Sequence, residues 1–92
     1  MVRRFESDPE KSKANARRHG VDFEQASKIW FSKHVVIPAK IVDGERRWAI
    51  IGTLDGAICL AIFVIRAGRT RIITCHRADE RLVRKYEEYF QN

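Results

Sequence analysis

The stretch VVIPAKIVDGERRWAIIGTLDGAICLAIFVIRAGRTRIITC, Val35 to Cys75, decides the fold. It consists of four apolar, β-branched runs parted by three short breaks. Asp43-Gly44 and Asp55-Gly56 are dipeptides that favour type I′ hairpin turns, in which both central residues need a positive φ. Ala67-Gly68 turns the chain a third time. The runs Val35 to Val42, Arg47 to Gly52, Ala57 to Ile65 and Arg71 to Cys75 therefore read as consecutive strands of an antiparallel meander. Pro38 has no N–H to give to a ladder, which marks the first of them as an edge strand or a bulge.

Helical signals flank the meander. Val2 to Glu6 suits a short first strand. Asp8 then caps a helix with Pro9 at its first position, running to about His19 and stopped by Gly20. Beyond its first turn only Ala14 and Ala16 are apolar, so this helix depends on tertiary contacts, for which Asn15 and His19, four apart on one face, are suited. Asp22 and Gln25 form a capping box behind Val21, and Phe23, Ala26, Ile29 and Trp30 give the second helix an apolar face. Ser32 to His34 breaks it. After the meander Asp79 caps a closing helix, with Leu82, Val83, Tyr86 and Phe90 on its apolar stripe and Arg81, Arg84 and Lys85 outside it. Strand, two helices, a four-strand antiparallel meander and a helix describe an α+β fold, with residues 1–92 as one small domain.

Composition narrows the partners. Lys plus Arg is 18 against 12 acidic residues, a net charge of +6. Twelve of those cations are arginine, whose planar fork of donors matches phosphate and suits nucleic acid or an acidic protein. A merely soluble basic surface would share this balance. Cys59 and Cys75 sit inside strand-like runs at a spacing that fits no metal motif, so they read as small core residues of a reducing compartment. No metal or other cofactor is expected. The charged N-terminus lacks the apolar stretch of a signal peptide, and the longest nearly uncharged run, residues 56–65, falls far short of the ~20 needed for a membrane helix. A cytoplasmic protein with no membrane partner is the expectation.

The cations gather on the meander: Lys40 on its first strand, Arg46 and Arg47 after the first turn, Arg66, Arg69 and Arg71 around the third, His76 and Arg77 at the end. Alternation puts Thr74 and His76 on one face and Cys75 on the other. Such a surface suits RNA, with Trp48 or Tyr86 available for base stacking. Metal-free RNA cleavage needs a base for the 2′-hydroxyl, a cation for the phosphate and an acid for the leaving 5′-oxygen. His76 beside Arg77 suits the acid, Arg47 and Arg66 the phosphate, and Glu45 the base. Each of these also has a plain reading as a solvated charge, Trp48 as core and His34 as surface. His19 reads as structural, because a histidinium at a helix C-terminus faces the terminal carbonyls favourably.

Three stretches together resemble the BrnT toxins. DPEKSKANARRHGVDFEQA (Asp8 to Ala26) is similar to their D-P-x-K-x-x-x-N-x-x-x-H-G-hydrophobic-x-F-x-x-A opening, and GERRWAIIGTLDGAICL (Gly44 to Leu60) to their G-E-x-R-x-x-x-x-G hairpin. RIITCHRADERLVRKYEE (residues 71–88) resembles their closing R-I-I-S-A-R-x-A segment and its arginine-rich helix with tyrosine. The resemblance implies a RelE-like ribonuclease fold, growth arrest through RNA cleavage, and neutralisation by a BrnA-like antitoxin. It also implies that the chain meets DNA only indirectly, through a repressing complex with that antitoxin. Within it Lys40, Arg47, Arg66, His76 and Tyr86 stand as catalytic residues, and Arg46, Trp48, Arg71, Arg77 and Arg81 as RNA-binding ones. The sequence departs twice: Ser7 replaces the tryptophan of F-x-W-D-P, and His76 stands where I-S-A-R carries arginine. The rival reading is a weakened or inactive basic module that binds antitoxin or nucleic acid without cutting. Convergence of His76 and the arginines on one phosphate separates the two. An unrelated small-molecule enzyme has no supporting motif, neither a Gly-rich phosphate loop nor a nucleophile constellation.

Overall fold

In chain order the elements are β1 (Phe5–Glu6), α1 (Pro9–His19), α2 (Phe23–Ala26) continued by a 3-10 segment (Ser27–Phe31), β2 (Val35–Val42), β3 (Glu45–Leu54), β4 (Ala57–Arg66), β5 (Arg69–Arg77) and α3 (Glu80–Tyr89). The structure is a computed structural model and describes residues 3–91. Each break in the meander folds as a two-residue hairpin, closed by the pairs Val42↔Glu45, Leu54↔Ala57 and Arg66↔Arg69. Asp43, Asp55 and Ala67 have φ of 50°, 50° and 51°, and the glycine after each follows at 76°, 80° and 75°. Two successive left-handed residues give the turn whose twist matches its flanking strands.

The sheet order is β1-β5-β4-β3-β2. β2 to β5 are antiparallel, whereas β1 lies parallel to β5 through Phe5↔Thr70 and Glu6↔Arg71. The four-strand meander is antiparallel as expected, and the parallel β1 makes the five-stranded sheet mixed. No hairpin dictates the direction of β1, because helices and three strands separate it from its partner. It docks on the free edge of β5, where the Thr70 N–H donates to Arg4 O at 2.8 Å. Of the first strand expected over Val2 to Glu6, the paired part is Phe5–Glu6, and Val2 lies outside the described residues.

β2 is the opposite edge, and it is also bulged. Pro38 pairs with Trp48 and Ile41 with Arg46, so Ala39 and Lys40 together face Arg47. The apolar period read as one helix from Phe23 to Trp30 divides into α2 and the 3-10 segment. The Ser27 hydroxyl donates to Glu24 O at 2.6 Å where the winding tightens. The segment then runs so close to β3 that a Cβ on Gly52 would meet Ser32 Oγ at 2.7 Å and Ile29 Cγ2 at 2.9 Å. Only glycine leaves room there.

The two faces of the sheet carry separate apolar clusters. On one, Ile50, Leu54, Cys59, Ala61, Phe63, Ile72 and Cys75 pack against Val21, Phe23, Ala26 and Ile29 from the α1–α2 region. On the other, Ala49, Ile51 and Leu60 pack against Tyr86, with Leu82 and Phe90 alongside. The result is three layers, with α1 and α2 on one side of the sheet and α3 on the other. Among the described residues no helix is long and apolar enough to cross a membrane.

Candidate nucleic-acid interface

The clusters reveal which way each strand residue points. Ala49 and Ile51 face α3, so alternation turns Glu45 and Arg47 to that face, and Trp48, packed with Ile50 and Leu54, to the other. On β4, Leu60 and Ile62 face α3, so Val64 and Arg66 do too. The register then sets Arg71 opposite Val64 and Arg69 opposite Arg66, with Glu6 of β1 next to Arg71. α3 packs over Ala49, Ile51 and Leu60, towards the other end of these strands. Arg47, Arg66, Arg69 and Arg71 thus collect at the end of the face that α3 leaves open.

Two carboxylates hold parts of this cluster in place. Glu45 accepts from Arg66 Nε at 2.7 Å and from Nη2 at 2.8 Å, a two-pronged pair across the strands. Glu6 lies 3.4 Å from Arg71 and 3.9 Å from Arg69. Four guanidiniums against two carboxylates leave the end positive. The Arg66 hydrogen bonds, reinforced by the charges of Arg66 and Arg47 against the opposing effect of desolvation, hold the Glu45 carboxyl below its ordinary range. A carboxylate so held orients Arg66 and is a poor proton acceptor.

The remaining sequence-derived site residues lie elsewhere. Leu60 stands opposite both Ile51 and His76. Arg47, four residues from Ile51 and two strands across from β5, is thus roughly 16 Å from His76, and Arg66 roughly 20 Å, at about 3.3 Å per residue and 4.8 Å per strand. Lys40 is exposed on the β2 bulge, and Arg46 spends a donor on Ala39 O at 2.6 Å. Trp48 is half-buried against the α1–α2 cluster, away from Arg47. Tyr86 is buried, and its hydroxyl donates to Lys33 O at 2.6 Å. Arg81 is exposed on the first turn of α3. Arg77 is exposed and lines a cleft of about 130 Å³ with His19, Gly20 and Asp55.

Sequence reasoning missed what surrounds His76. Asn15 is 2% exposed, and its side chain docks on the edge of β5. Its Nδ2 donates to Cys75 O and to Val21 O, both at 2.8 Å, while Oδ1 accepts from the Cys75 N–H and the Thr74 hydroxyl, both at 3.2 Å. His19, one helical turn further on, comes to rest beside His76 with ring centroids 5.5 Å apart. The four-residue spacing of Asn15 and His19 was the available signal. Among the described residues no three His, Cys, Asp or Glu side chains gather as a metal site requires.

An open sheet end lined with arginine forks is chemistry suited to a phosphate chain. The chain belongs to the BrnT family, the ribonuclease toxins of type II toxin–antitoxin systems, whose family model matches residues 8–81. The match runs from the cap of α1 into the first turn of α3. No curated protein matches the chain.

Proposed function

We propose that this chain is a metal-independent endoribonuclease with a RelE-like fold that arrests growth by cutting RNA and is neutralised by a BrnA-like antitoxin. The observation that carries this reading is the co-facial set of Arg47, Arg66 and Arg71 on a chain of the BrnT family. These guanidiniums hold the RNA backbone, with Lys40 and Arg69 extending the positive track. Arg46, Arg77 and Arg81 add positive charge away from that track. Buried Tyr86 supports the site by fixing α3 to the Lys33 carbonyl, and Trp48 supports β3 from beneath. The protein works in the cytoplasm and reaches DNA only through its antitoxin.

The rival, a module that binds without cutting, draws on a specific observation: the backbone at His76 is roughly 16 Å from that at Arg47, so the histidine does not sit within the arginine cluster. Incubating the purified protein in EDTA with free and with ribosome-bound RNA separates them. Cleavage is expected. Arg47→Ala and Arg66→Ala are each expected to flatten the dependence of log affinity on log salt by about 0.7. A folded protein that binds both RNAs and cuts neither sinks the enzyme reading and leaves the binding module.

A further inference from the structure

We propose that His19 and His76 are the acid–base pair of this ribonuclease, at the rim of the sheet and apart from the arginines that hold the flanking backbone. The inference rests on the ribonuclease reading and names the groups that move protons. Its starting point is the clamp of Asn15 on Cys75, which fixes the end of α1 against the end of β5. His19 is the last residue of α1, with Gly20 at φ 76° closing the helix immediately after it. His76 directly follows the clamped residue. Neither ring donates to the other among the described hydrogen bonds, and their centroids stand 5.5 Å apart with the planes tilted by 46°. Two imidazoles so placed can flank one phosphate.

The surroundings assign the roles. Nδ1 of His76 lies 2.8 Å from the carbonyl oxygen of Arg77. A carbonyl only accepts, so Nδ1 carries the hydrogen and Nε2 of the neutral ring has its lone pair free. That makes His76 the base. His19 is exposed and lines the cleft that also contains Arg77, which brings a cation to the same rim. Asp55 is the acidic residue of that cleft. The 2′-hydroxyl gives its proton to Nε2 of His76 as its oxygen bonds to phosphorus. The bond from phosphorus to the 5′-oxygen breaks, and that oxygen takes a proton from His19. The products are a 2′,3′-cyclic phosphate and a 5′-hydroxyl, with one proton taken up and one released. No water or metal enters the step.

The arrangement also accounts for the scattered cations. Arg71 pairs with Val64 and His76 with Leu60, so across the β5 bulge they stand roughly 13 Å apart at about 3.3 Å per residue of β4. An RNA strand following β5 would lay a few nucleotides between them, held at one end by Arg47, Arg66 and Arg71 and cut at the other.

The test uses the full chain in EDTA. His19→Gln and His76→Gln are each expected to lower the cleavage rate at least 100-fold, in the range that general acid–base groups supply, with RNA affinity held within about threefold. His34→Gln is the control, because His34 precedes β2, three strands across the sheet from His76 on β5. Independently, uridine 3′-monophosphate added to the wild type is expected to move the imidazole nitrogen signals of His19 and His76 along one saturation curve in NMR spectra. Cleavage that survives both substitutions, with thermal melts confirming folded variants, overturns the histidine pair and leaves the ribonuclease reading standing. Ring signals that stay put or saturate separately overturn it too. A folded wild type that cuts no RNA overturns the ribonuclease reading and the pair with it.

Discussion

Asn15→Ala tests how α1 is held against the sheet. The Asn15 amide replaces a missing strand neighbour, accepting from the N–H of Cys75 and donating to its carbonyl, while also donating to Val21 O. Alanine would leave three backbone groups without partners where α1 meets the sheet. An orphaned buried group costs about 1–3 kcal/mol. Water reaching the sheet edge relieves part of that, so the expected loss is about 3–4 kcal/mol. A domain of this size has roughly 5–14 kcal/mol in total. At about 4–8 °C per kcal/mol for a small domain, Tm should fall by roughly 12–30 °C. Urea denaturation followed by far-ultraviolet circular dichroism measures the loss directly.

Asn15→Asp makes the same reasoning sharper. It keeps an acceptor for the Cys75 N–H and the Thr74 hydroxyl but turns carboxylate lone pairs towards the carbonyls of Cys75 and Val21. It should destabilise at least as much as alanine. A loss below about 1 kcal/mol for alanine would show that apolar contacts alone seat α1. An aspartate variant as stable as wild type would refute the assignment of Nδ2 as the donor to both carbonyls.

Two further outcomes follow from the packing. Gly52→Ala should cost about 1–3 kcal/mol in the same assay, because its Cβ would press on Ser32 Oγ and Ile29 Cγ2, and Ser32→Gly should recover part of the loss; a Gly52→Ala protein of unchanged stability would contradict the close approach. Burial pushes the Cys75 thiol up to about 12, with Cys59 adding to it, and burial also raises Cys59 against the pull of Arg77. Both thiols should therefore resist alkylation at pH 8 until the protein unfolds. Their contribution to stability should be complete below the unfolded thiol value of about 8.5 and decline as pH rises from there towards 12. Rapid native-state labelling would disprove this.

What the sequence made legible was local chemistry. Asp-Gly pairs dictate hairpins wherever two apolar runs flank them, and Asp8, Asp22 and Asp79 all accept from backbone N–H groups as helix caps do. Asn15 was recognisable as an anchor from its place on α1, whereas His19, expected to share that role, is exposed and lies beside His76. The opposite facing of Arg47 and Trp48 was readable too, since adjacent strand residues cannot share a face. Long-range facts were not. β1 pairs through two residues only, and nothing local sets its direction. Which end of the sheet α3 would cover depends on where Tyr86 and Leu82 find apolar partners, and that decides which arginines stay open. His19 meets His76 only once a buried amide has joined residues 60 positions apart.

The separation of holding from proton transfer follows from the chemistry of the residues themselves. An arginine stays charged at any physiological pH, so the Arg47–Arg66–Arg71 end can grip a phosphate and steady its charge but cannot act as base or acid. Glu45 and Glu6, the acids within that end, are both engaged by its arginines. In the proposed reaction, proton transfer near neutrality falls to histidine, of which the chain has three. His34 precedes β2, at the opposite edge of the sheet from β5. The other two come from elements far apart in sequence and meet at a sheet rim beside Arg77. In the proposed reaction His76 is a group that can accept a proton and return it, which a permanently charged arginine could not do. His19, with its ring centroid 5.5 Å away, is its proposed partner.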